Sequence, residues 1–213
     1  MILLRGDIII KKSEVLKYTN FRENFKFGFE DLEKSDNKIF FKGELVEDEE
    51  KKYPEGENFI NIGYNFKNSK SKTLSNLFPI EFKFKGKKVS SIESVLQGIK
   101  YKDKKLQNLI FKYSGLDAYH TRNANSLNFW GNDGNLYWQG KIIKRNSKDY
   151  QIFLDELFLS VTKNQIYFNS LLASGTKYLL HHIGNDNINE TVLTRFEFEQ
   201  RLNTLREWIK LKR

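Results

Sequence analysis

Two kinds of hydrophobic periodicity divide this chain of 213 residues at a short polar segment. Before it, β-branched and aromatic residues cluster or alternate over residues 7–12, 37–47 and 59–66, which is typical of short strands. After it, apolar residues recur mainly at intervals of three and four, which is typical of amphipathic helices. The segment itself, residues 67–72, contains no apolar or acidic side chain. We therefore predict an α+β fold, in which a strand-rich N-terminal part (residues 1–72) packs on a mainly helical C-terminal domain (residues 73–213).

Local signals predict where several elements of the C-terminal domain begin and end. An alternating stretch over residues 80–89, with a turn at Lys85-Gly86, predicts a strand or hairpin. Ser90, followed three residues later by Glu93, forms a capping-box pattern that predicts the start of a helix.

Three further helices are predicted from apolar spacing and end signals. One covers about residues 104–113 and ends at Ser114-Gly115. Residues 123–135 are rich in Asn and Gly and are predicted to be irregular. The two longer helices contain apolar residues at helical spacing. These residues are Tyr150, Phe153, Leu154, Leu157, Phe158 and Val161 in the first helix, and Phe198, Leu202, Leu205 and Ile209 in the second.

The composition excludes several kinds of site. The chain has no Cys, so disulfides, zinc-thiolate sites and cysteine nucleophiles are excluded. The adjacent His181 and His182 point about 100° apart on a helix, so we predict a structural role for them, with no metal site and no cofactor. Residues 1–12 lack the apolar run of a signal peptide, and no segment has the length of a membrane span. We expect a cytoplasmic protein without a membrane partner, of unknown oligomeric state.

The formal net charge of +9 belongs entirely to residues 73–213, because residues 1–72 carry equal numbers of basic and acidic side chains. The densest lysines are Lys83, Lys85, Lys87, Lys88, Lys100, Lys102, Lys104 and Lys105. Such a surface attracts the phosphates of a nucleotide or of a nucleic acid. A solvated lysine face without a partner is an equally supported interpretation.

Three polar residues share one face of the helix predicted after Ser90. Glu93, Gln97 and Lys100 follow one another at i, i+4 and i+7, beside the apolar stripe of that helix. A carboxylate, an amide and an ammonium group in this arrangement would form the polar wall of a cleft. The alternative is that Glu93 closes the capping box, Gln97 is solvated and Lys100 belongs to the basic surface.

Six short fragments follow one another in order between residues 74 and 207. They are Leu74-Ser75-Asn76-Leu77-Phe78-Pro79, the stretch from Phe84 through Ser91-Ile92-Glu93 and Gln97 to Lys100-Tyr101, Ala118-Tyr119-His120-Thr121-Arg122-Asn123, Tyr137-Trp138, Leu171-Leu172-Ala173-Ser174-Gly175 and Leu202-Asn203-Thr204-Leu205-Arg206-Glu207. Together they resemble the signature of the NADAR (YbiA-like) superfamily over about residues 73–208.

Members of that superfamily are N-glycosidases, and the resemblance implies both a fold and a set of site residues. It implies a NADAR-like domain over residues 73–213, in which Glu93, Trp138 and Asp186 are catalytic. The residues implied to bind the substrate are Asn76, Gln97, Lys100 and Arg122. The chain departs from the family pattern after Asp186, where an aromatic-Trp-Gly stretch is missing, and at Ser94, where the family often has His.

The chemistry of these residue types suits cleavage of a ribosyl–nitrogen bond. A carboxylate, Glu93 or Asp186, stabilises an oxocarbenium-like state or activates water. The indole of Trp138 would stack on the base, although an ordinary core aromatic is the alternative interpretation. Lys100 and Arg122 would bind phosphate groups.

The resemblance implies two substrate classes: ADP-ribose on guanine bases, and early phosphorylated intermediates of riboflavin synthesis. We predict an ADP-ribose glycohydrolase acting on modified guanine in a nucleoside or in DNA or RNA, because the basic surface suits a diphosphate or a strand. The riboflavin intermediates are the alternative substrate, and a non-catalytic module that binds ADP-ribose or nucleic acid is the alternative function. Residues 1–72 would position a partner or complete the fold.

Overall fold

The structure is a computed structural model that describes residues 2–4, 8–10, 52–124 and 134–211. The predicted strand over residues 37–47 and most of the irregular segment predicted over residues 123–135 lie outside these ranges. The strands are β1 (Ile2–Leu4), β2 (Ile8–Ile10), β3 (Phe59–Asn61), β4 (Phe82–Phe84), β5 (Lys87–Val89), β6 (Asn135–Trp138), β7 (Lys141–Lys144) and β8 (Tyr178–Leu180). The helices are α1 (Ser69–Thr73), α2 (Ile92–Gly98), α3 (Lys104–Ile110), α4 (Gly115–Ala124), α5 (Lys148–Val161), α6 (Gln165–Ala173) and α7 (Arg195–Leu211). The predicted α+β class is confirmed.

The strands of the described residues pair two by two, and one of these pairs is parallel. β1 with β2, β4 with β5 and β6 with β7 are antiparallel, whereas β3 pairs in parallel with β8. β3 comes from the part that we assigned to the N-terminal region, yet its residue Ile60 pairs with Leu179 and lies in the main hydrophobic core. Every residue of β3 is buried, and the strand covers only the first three residues of the stretch 59–66 that was predicted to be a strand.

The polar segment at residues 67–72 contains a one-turn helix, α1. The Asn68 side chain accepts the backbone N–H of Ser71 and caps the helix. The Ser71 hydroxyl in turn donates to the carbonyl of Asn61 at the end of β3. α1 also packs against α6. The polar sequence therefore forms a capped turn that is attached to β3.

The hairpin predicted over residues 80–89 is confirmed as β4 and β5. Lys85 and Gly86 both have positive φ, 44° and 81°, which is the backbone of a type I′ turn. The register pairs Phe82 with Val89, and both side chains are buried. α5 packs on β4, so the hairpin is held against the core.

The two long helices, α5 and α7, are confirmed with their predicted core faces. All ten apolar residues predicted to form those faces are buried, with at most 5% of any side chain exposed. Two ion pairs lie deep beside these faces. Arg145 binds Glu197 through two bonds of 2.9 and 2.6 Å, and Arg201 lies 2.9 Å from Asp155. Burial alone would raise the pKa of Glu197, but Arg145 outweighs it and holds that pKa below its usual range.

The helix predicted over about residues 104–113 ends three residues earlier than expected. A second helix begins at the point where the predicted one was to stop. α3 ends at Ile110, and Ser114 accepts the backbone N–H of Asp117 while donating to its carboxylate. Ser114 therefore begins α4. In the part of the chain that the structure describes, no helix is long and apolar enough to cross a membrane.

Candidate active site

The N-cap of α2 lies one residue later than the sequence pattern indicates. The Ser91 hydroxyl accepts the backbone N–H of Ser94 at 2.9 Å. Ser90 is still in extended chain, where its carbonyl accepts Ile80 N–H and its own N–H donates to Phe111. The predicted capping box of Ser90 and Glu93 is therefore wrong. Because Ser94 takes the third helical position, the carboxylate of Glu93 is not needed for the cap.

Glu93 instead joins two other residues that the sequence singled out. Its side chain is 8% exposed, and its Oε1 accepts Gln97 Nε2 at 2.6 Å. Its backbone N–H donates to the carbonyl of Asn76 at 3.0 Å. The structure therefore brings Asn76, Glu93 and Gln97 together at the first turns of α2.

Two amide oxygens of this group have no hydrogen-bond partner among the residues that the structure describes. They are Asn76 Oδ1 and Gln97 Oε1, both shielded from solvent. A carboxylate accepts hydrogen bonds and does not donate them, so Gln97 must turn its NH₂ group toward Glu93, which leaves Oε1 facing elsewhere. Buried acceptors without partners are costly, and hydroxyl groups of a ligand would satisfy them.

A glycine holds the Asn76 turn against α4. A Cβ on Gly115 would lie 2.1 Å from the carbonyl oxygen of Leu77, so only glycine permits this approach. α4 also packs along α2, with Ala118 fully buried. The backbone on both sides of Glu93 is therefore fixed by close packing.

Lys100 and Arg122 belong to different elements, the turn after α2 and the helix α4 that packs on α2. α2 ends at Gly98, so Lys100 lies in the turn after the helix, where its N–H donates to the Gln97 carbonyl at 3.2 Å. Of the three residues predicted to share one helical face, Glu93 and Gln97 lie on α2, and Lys100 lies outside the helix. Arg122 lies on α4, one helical turn after Ala118, and its side chain is outside the described part.

The structure places Trp138 among core aromatic residues. Its side chain is 8% exposed. Its ring centroid lies 5.0 Å from that of Phe84, 5.2 Å from that of Phe111 and 5.4 Å from that of Phe153. This arrangement is the one expected if Trp138 is an ordinary core residue. Its stacking on a substrate base stays a prediction.

Asp186 caps the last helix. Its Oδ1 accepts the backbone N–H of Phe196 at 3.0 Å, and its Oδ2 binds the Arg195 guanidinium at 2.9 and 2.7 Å. The side chain is 45% exposed. These contacts lie at the start of α7 and do not bring Asp186 to the Glu93 group.

Sequence reasoning missed the polar residues that hold the elements in place. Arg206 binds Ser174 Oγ and the Lys177 carbonyl, which joins two of the six fragments through a structural contact. An Arg on a polar helix gives no sequence signal for the contacts that Arg206 makes.

His181 Nδ1 lies 2.8 Å from the carbonyl of Ile62, in keeping with the structural role predicted for it. No three His, Asp or Glu residues within the described ranges converge as a metal site would require.

Comparison with known proteins gives a family and one similar structure. No curated protein matches the chain. The NMR structure of the E. coli protein YbiA is similar at 17% identity, covering 74% of this chain and 88% of YbiA with a TM-score of 0.49. The model of the family described as bacteriophage protein GP30.3 matches residues 68–207, about two thirds of the chain. The chain therefore belongs to the bacteriophage GP30.3 protein family.

Proposed function

We propose that this protein is an N-glycosidase that hydrolyses a ribosyl–nitrogen bond, with Glu93 as its catalytic carboxylate. One observation carries the proposal: a buried carboxylate that the helix cap does not use is held by the Gln97 amide, and the side-chain oxygens of Gln97 and of the neighbouring Asn76 have no partner among the described residues. Burying a carboxylate costs free energy, and active sites are where such costs are commonly met.

The reaction needs one carboxylate and no redox partner. As the bond between ribose C1′ and the base nitrogen breaks, its electron pair leaves with the nitrogen and positive charge develops on the ribose. The Glu93 carboxylate stabilises that charge and takes a proton from the attacking water, whose oxygen bonds to C1′. The departing base nitrogen takes up the proton that Glu93 accepted, which restores the carboxylate, and the ribose carries the new hydroxyl.

The amides beside Glu93 suit recognition of the ribose. Asn76 Oδ1 and Gln97 Oε1 are acceptors, and ribose hydroxyls are donors that fit them. Gln97 also fixes the orientation of the carboxylate through its 2.6 Å bond. A substrate that lacks these hydroxyls would leave both oxygens unpaired, so we expect the site to discriminate against deoxyribose.

We favour ADP-ribose on guanine as the substrate over a phosphorylated riboflavin intermediate. Lys100 lies just past the end of α2, two residues beyond the helix that carries Glu93. The net charge of +9 also favours an anionic substrate, and the two linked phosphates of ADP-ribose offer two groups for lysine contacts, whereas a monophosphate ester offers one. Arg122 stays a predicted phosphate ligand.

Turnover assays on three substrates test the proposal. Purified protein is incubated with an oligonucleotide carrying ADP-ribosylated guanine, with the corresponding nucleoside, and with the phosphorylated riboflavin intermediate. Mass spectrometry then follows the released sugar. We expect free ADP-ribose from the first two substrates and no release from the third.

Each other outcome contradicts a defined part of the proposal. Release from the riboflavin intermediate alone would overturn the ADP-ribose assignment and retain the N-glycosidase. Binding of ADP-ribose without release from any substrate would overturn the enzyme and favour a binding module.

A further inference from the structure

Exposed lysines line an open depression at the start of α3. Lys102, Lys104 and Lys105 surround it, together with Asp103, and its volume is about 540 Å³. All four side chains are exposed. The depression lies outside the Glu93 group and has no part in the chemistry proposed there.

Within the described residues, the three lysines of this depression form no ion pair, and Asp103 is the one acidic residue that lines it. The carboxylate of Asp103 accepts the backbone N–H of Leu106 at 2.7 Å and so caps α3. No carboxylate of the described residues lies within ion-pair distance of the three lysines. The β4–β5 hairpin differs, because Lys85 pairs there with Glu156 and Lys88 with Glu81.

A buried glutamine, Gln107, holds the turn between β6 and β7 next to this depression. Gln107 is fully buried, and its Nε2 donates to the carbonyls of Tyr101 and Tyr137. Its Oε1 accepts both the backbone and the side-chain nitrogen of Gln139, each at 3.0 Å. These four bonds fix the turn against α3, and Lys141 follows directly after it at the start of β7.

The side chain of Lys104 crosses that turn. Its Nζ lies 2.9 Å from the position that a Cβ on Gly140 would take, and Gly140 has a φ of +92°. A side chain at residue 140 would collide with the Lys104 ammonium group, so glycine is what allows Lys104 to lie against the turn. Lys102, Lys104 and Lys105 form one cationic surface, which we call the lysine cleft, and the exposed Lys141 follows the turn beside it in sequence.

The lysine cleft is connected to the helix that carries Glu93. Tyr137 N–H donates to the Ile99 carbonyl at 2.7 Å, which ties β6 to the end of α2. Helix rise from Glu93 to Ile99 and extended chain to Lys102 together span at most about 20 Å. About six nucleotides of a strand cover that distance.

We propose that the lysine cleft binds the phosphate backbone of a nucleic-acid strand and so directs the strand toward Glu93. The exposed ammonium groups suit successive phosphates, each of which releases counterions on binding. We favour a strand over a membrane surface, because all the residues that line the depression are charged, and the exposed Leu109 of α3 and Ile142 of β7 are not part of that lining. The direction toward Glu93 rests on the proposed function, while the strand binding does not.

Charge reversal with a matched control tests the cleft. Lys104→Glu/Lys105→Glu is compared with Lys67→Glu/Lys163→Glu, which makes the same change in net charge at two other exposed lysines. Fluorescence anisotropy measures binding of a labelled single-stranded oligonucleotide across a series of salt concentrations. We expect the cleft variant to lose about tenfold or more in affinity and to reduce the salt slope by about one to two, because two phosphate contacts are lost. The control variant should retain wild-type binding.

Turnover separates this proposal from the proposed function. We expect the cleft variant to lose release from the modified oligonucleotide at low substrate concentration and to retain release from the nucleoside. Loss of strand affinity without release from any substrate by the wild type would support the cleft and contradict the N-glycosidase. Equal affinity losses in both variants, or binding to phosphatidylserine vesicles instead of oligonucleotide, would overturn the cleft.

Discussion

The Nε2 atom of Gln97 donates to Oε1 of Glu93 at 2.6 Å, one helical turn apart on α2. Both side chains are buried, and the oxygen of the same amide has no partner. The pair therefore contains one oriented carboxylate and one acceptor that has no partner among the described residues. This arrangement is the basis of the function that we propose.

Replacing Gln97 tests whether the amide orients the carboxylate. Gln97→Leu keeps a similar volume but removes the donor to Glu93 and the free acceptor. We expect kcat/KM for base release to fall by about 10- to 100-fold, since one charge-assisted hydrogen bond is lost. Steady-state kinetics on the nucleoside measure this. Gln165→Leu, on an exposed position of α6, is the control and should behave as wild type; equal kinetics for both variants would contradict a role for Gln97.

Gly115 tests whether close packing positions the Asn76 turn. In Gly115→Ala the new Cβ meets the Leu77 backbone, which cannot move as a flexible side chain does. We expect a loss of about 1–3 kcal/mol in the free energy of unfolding, together with reduced activity. Urea unfolding and turnover of the same sample measure both. Lys112→Ala, at an exposed site nearby, should change neither, and an unchanged Gly115→Ala variant would refute the tight approach.

Breaking the buried pair of Arg145 and Glu197 should destabilise the fold strongly, because one buried charge would lose its partner. The side chains are 2% and 1% exposed, so Arg145→Met leaves a buried carboxylate without its main partner. We expect this variant to lose about 3–5 kcal/mol in the free energy of unfolding. The double variant Arg145→Met/Glu197→Leu should lose less than the sum of the two single changes, as measured by urea unfolding. Additive losses would show that the two residues do not act as a pair.

The lowered pKa of Glu55 should make the free energy of unfolding depend on pH. The hydrogen bond from Lys177 is the main reason why the pKa of Glu55 is below its ordinary value of 4.5, with Lys70 and Asn68 also lowering it against the effect of burial. Above about pH 4.5 the unfolded and folded states are both ionised, so the stabilisation is fully present. It is lost as the pH falls through the folded pKa, because the folded carboxylate must then be protonated.

The variant Glu55→Gln removes this contribution. Since the carboxylate is partly exposed, we expect the variant to be less stable by about 1 kcal/mol or less at pH 7. The difference should disappear in acid, as measured by urea unfolding at several pH values. A difference that stays constant with pH would show that the charge of Glu55 is not involved.

The sequence predicted those parts of the fold that depend on local patterns. The core faces of α5 and α7 follow from apolar spacing, and the Lys85-Gly86 turn follows from Gly86, which adopts positive φ without strain. Capping at α2 was predicted one residue too early, because Ser90 and Ser91 offer the same hydroxyl and only tertiary contacts of Ser90 decide between them.

The site was only partly predictable for the same reason. The i, i+4 spacing of Glu93 and Gln97 is local and indicated their contact, whereas their proximity to Asn76 depends on a turn from another part of the chain. Asp186 was assigned by its position in a motif, and its capping of α7 depends on where that helix starts. The parallel pairing of β3 with β8 joins residues far apart in sequence, which no local pattern shows.

The central claim is that Glu93 carries the chemistry, and the most direct test is the variant Glu93→Gln. This change keeps the size of the side chain and removes its charge, so the fold should be retained while the developing positive charge loses its partner. Glu81→Gln, at an exposed carboxylate that pairs with Lys88, is the matched control.

The measurement is the single-turnover rate of ADP-ribose release from ADP-ribosylated guanosine, followed by mass spectrometry for wild type and both variants. We predict a loss of at least about 100-fold for Glu93→Gln, with unchanged circular dichroism and unchanged binding of ADP-ribose, and a wild-type rate for Glu81→Gln. A folded Glu93→Gln variant that releases ADP-ribose at the wild-type rate would contradict the claim.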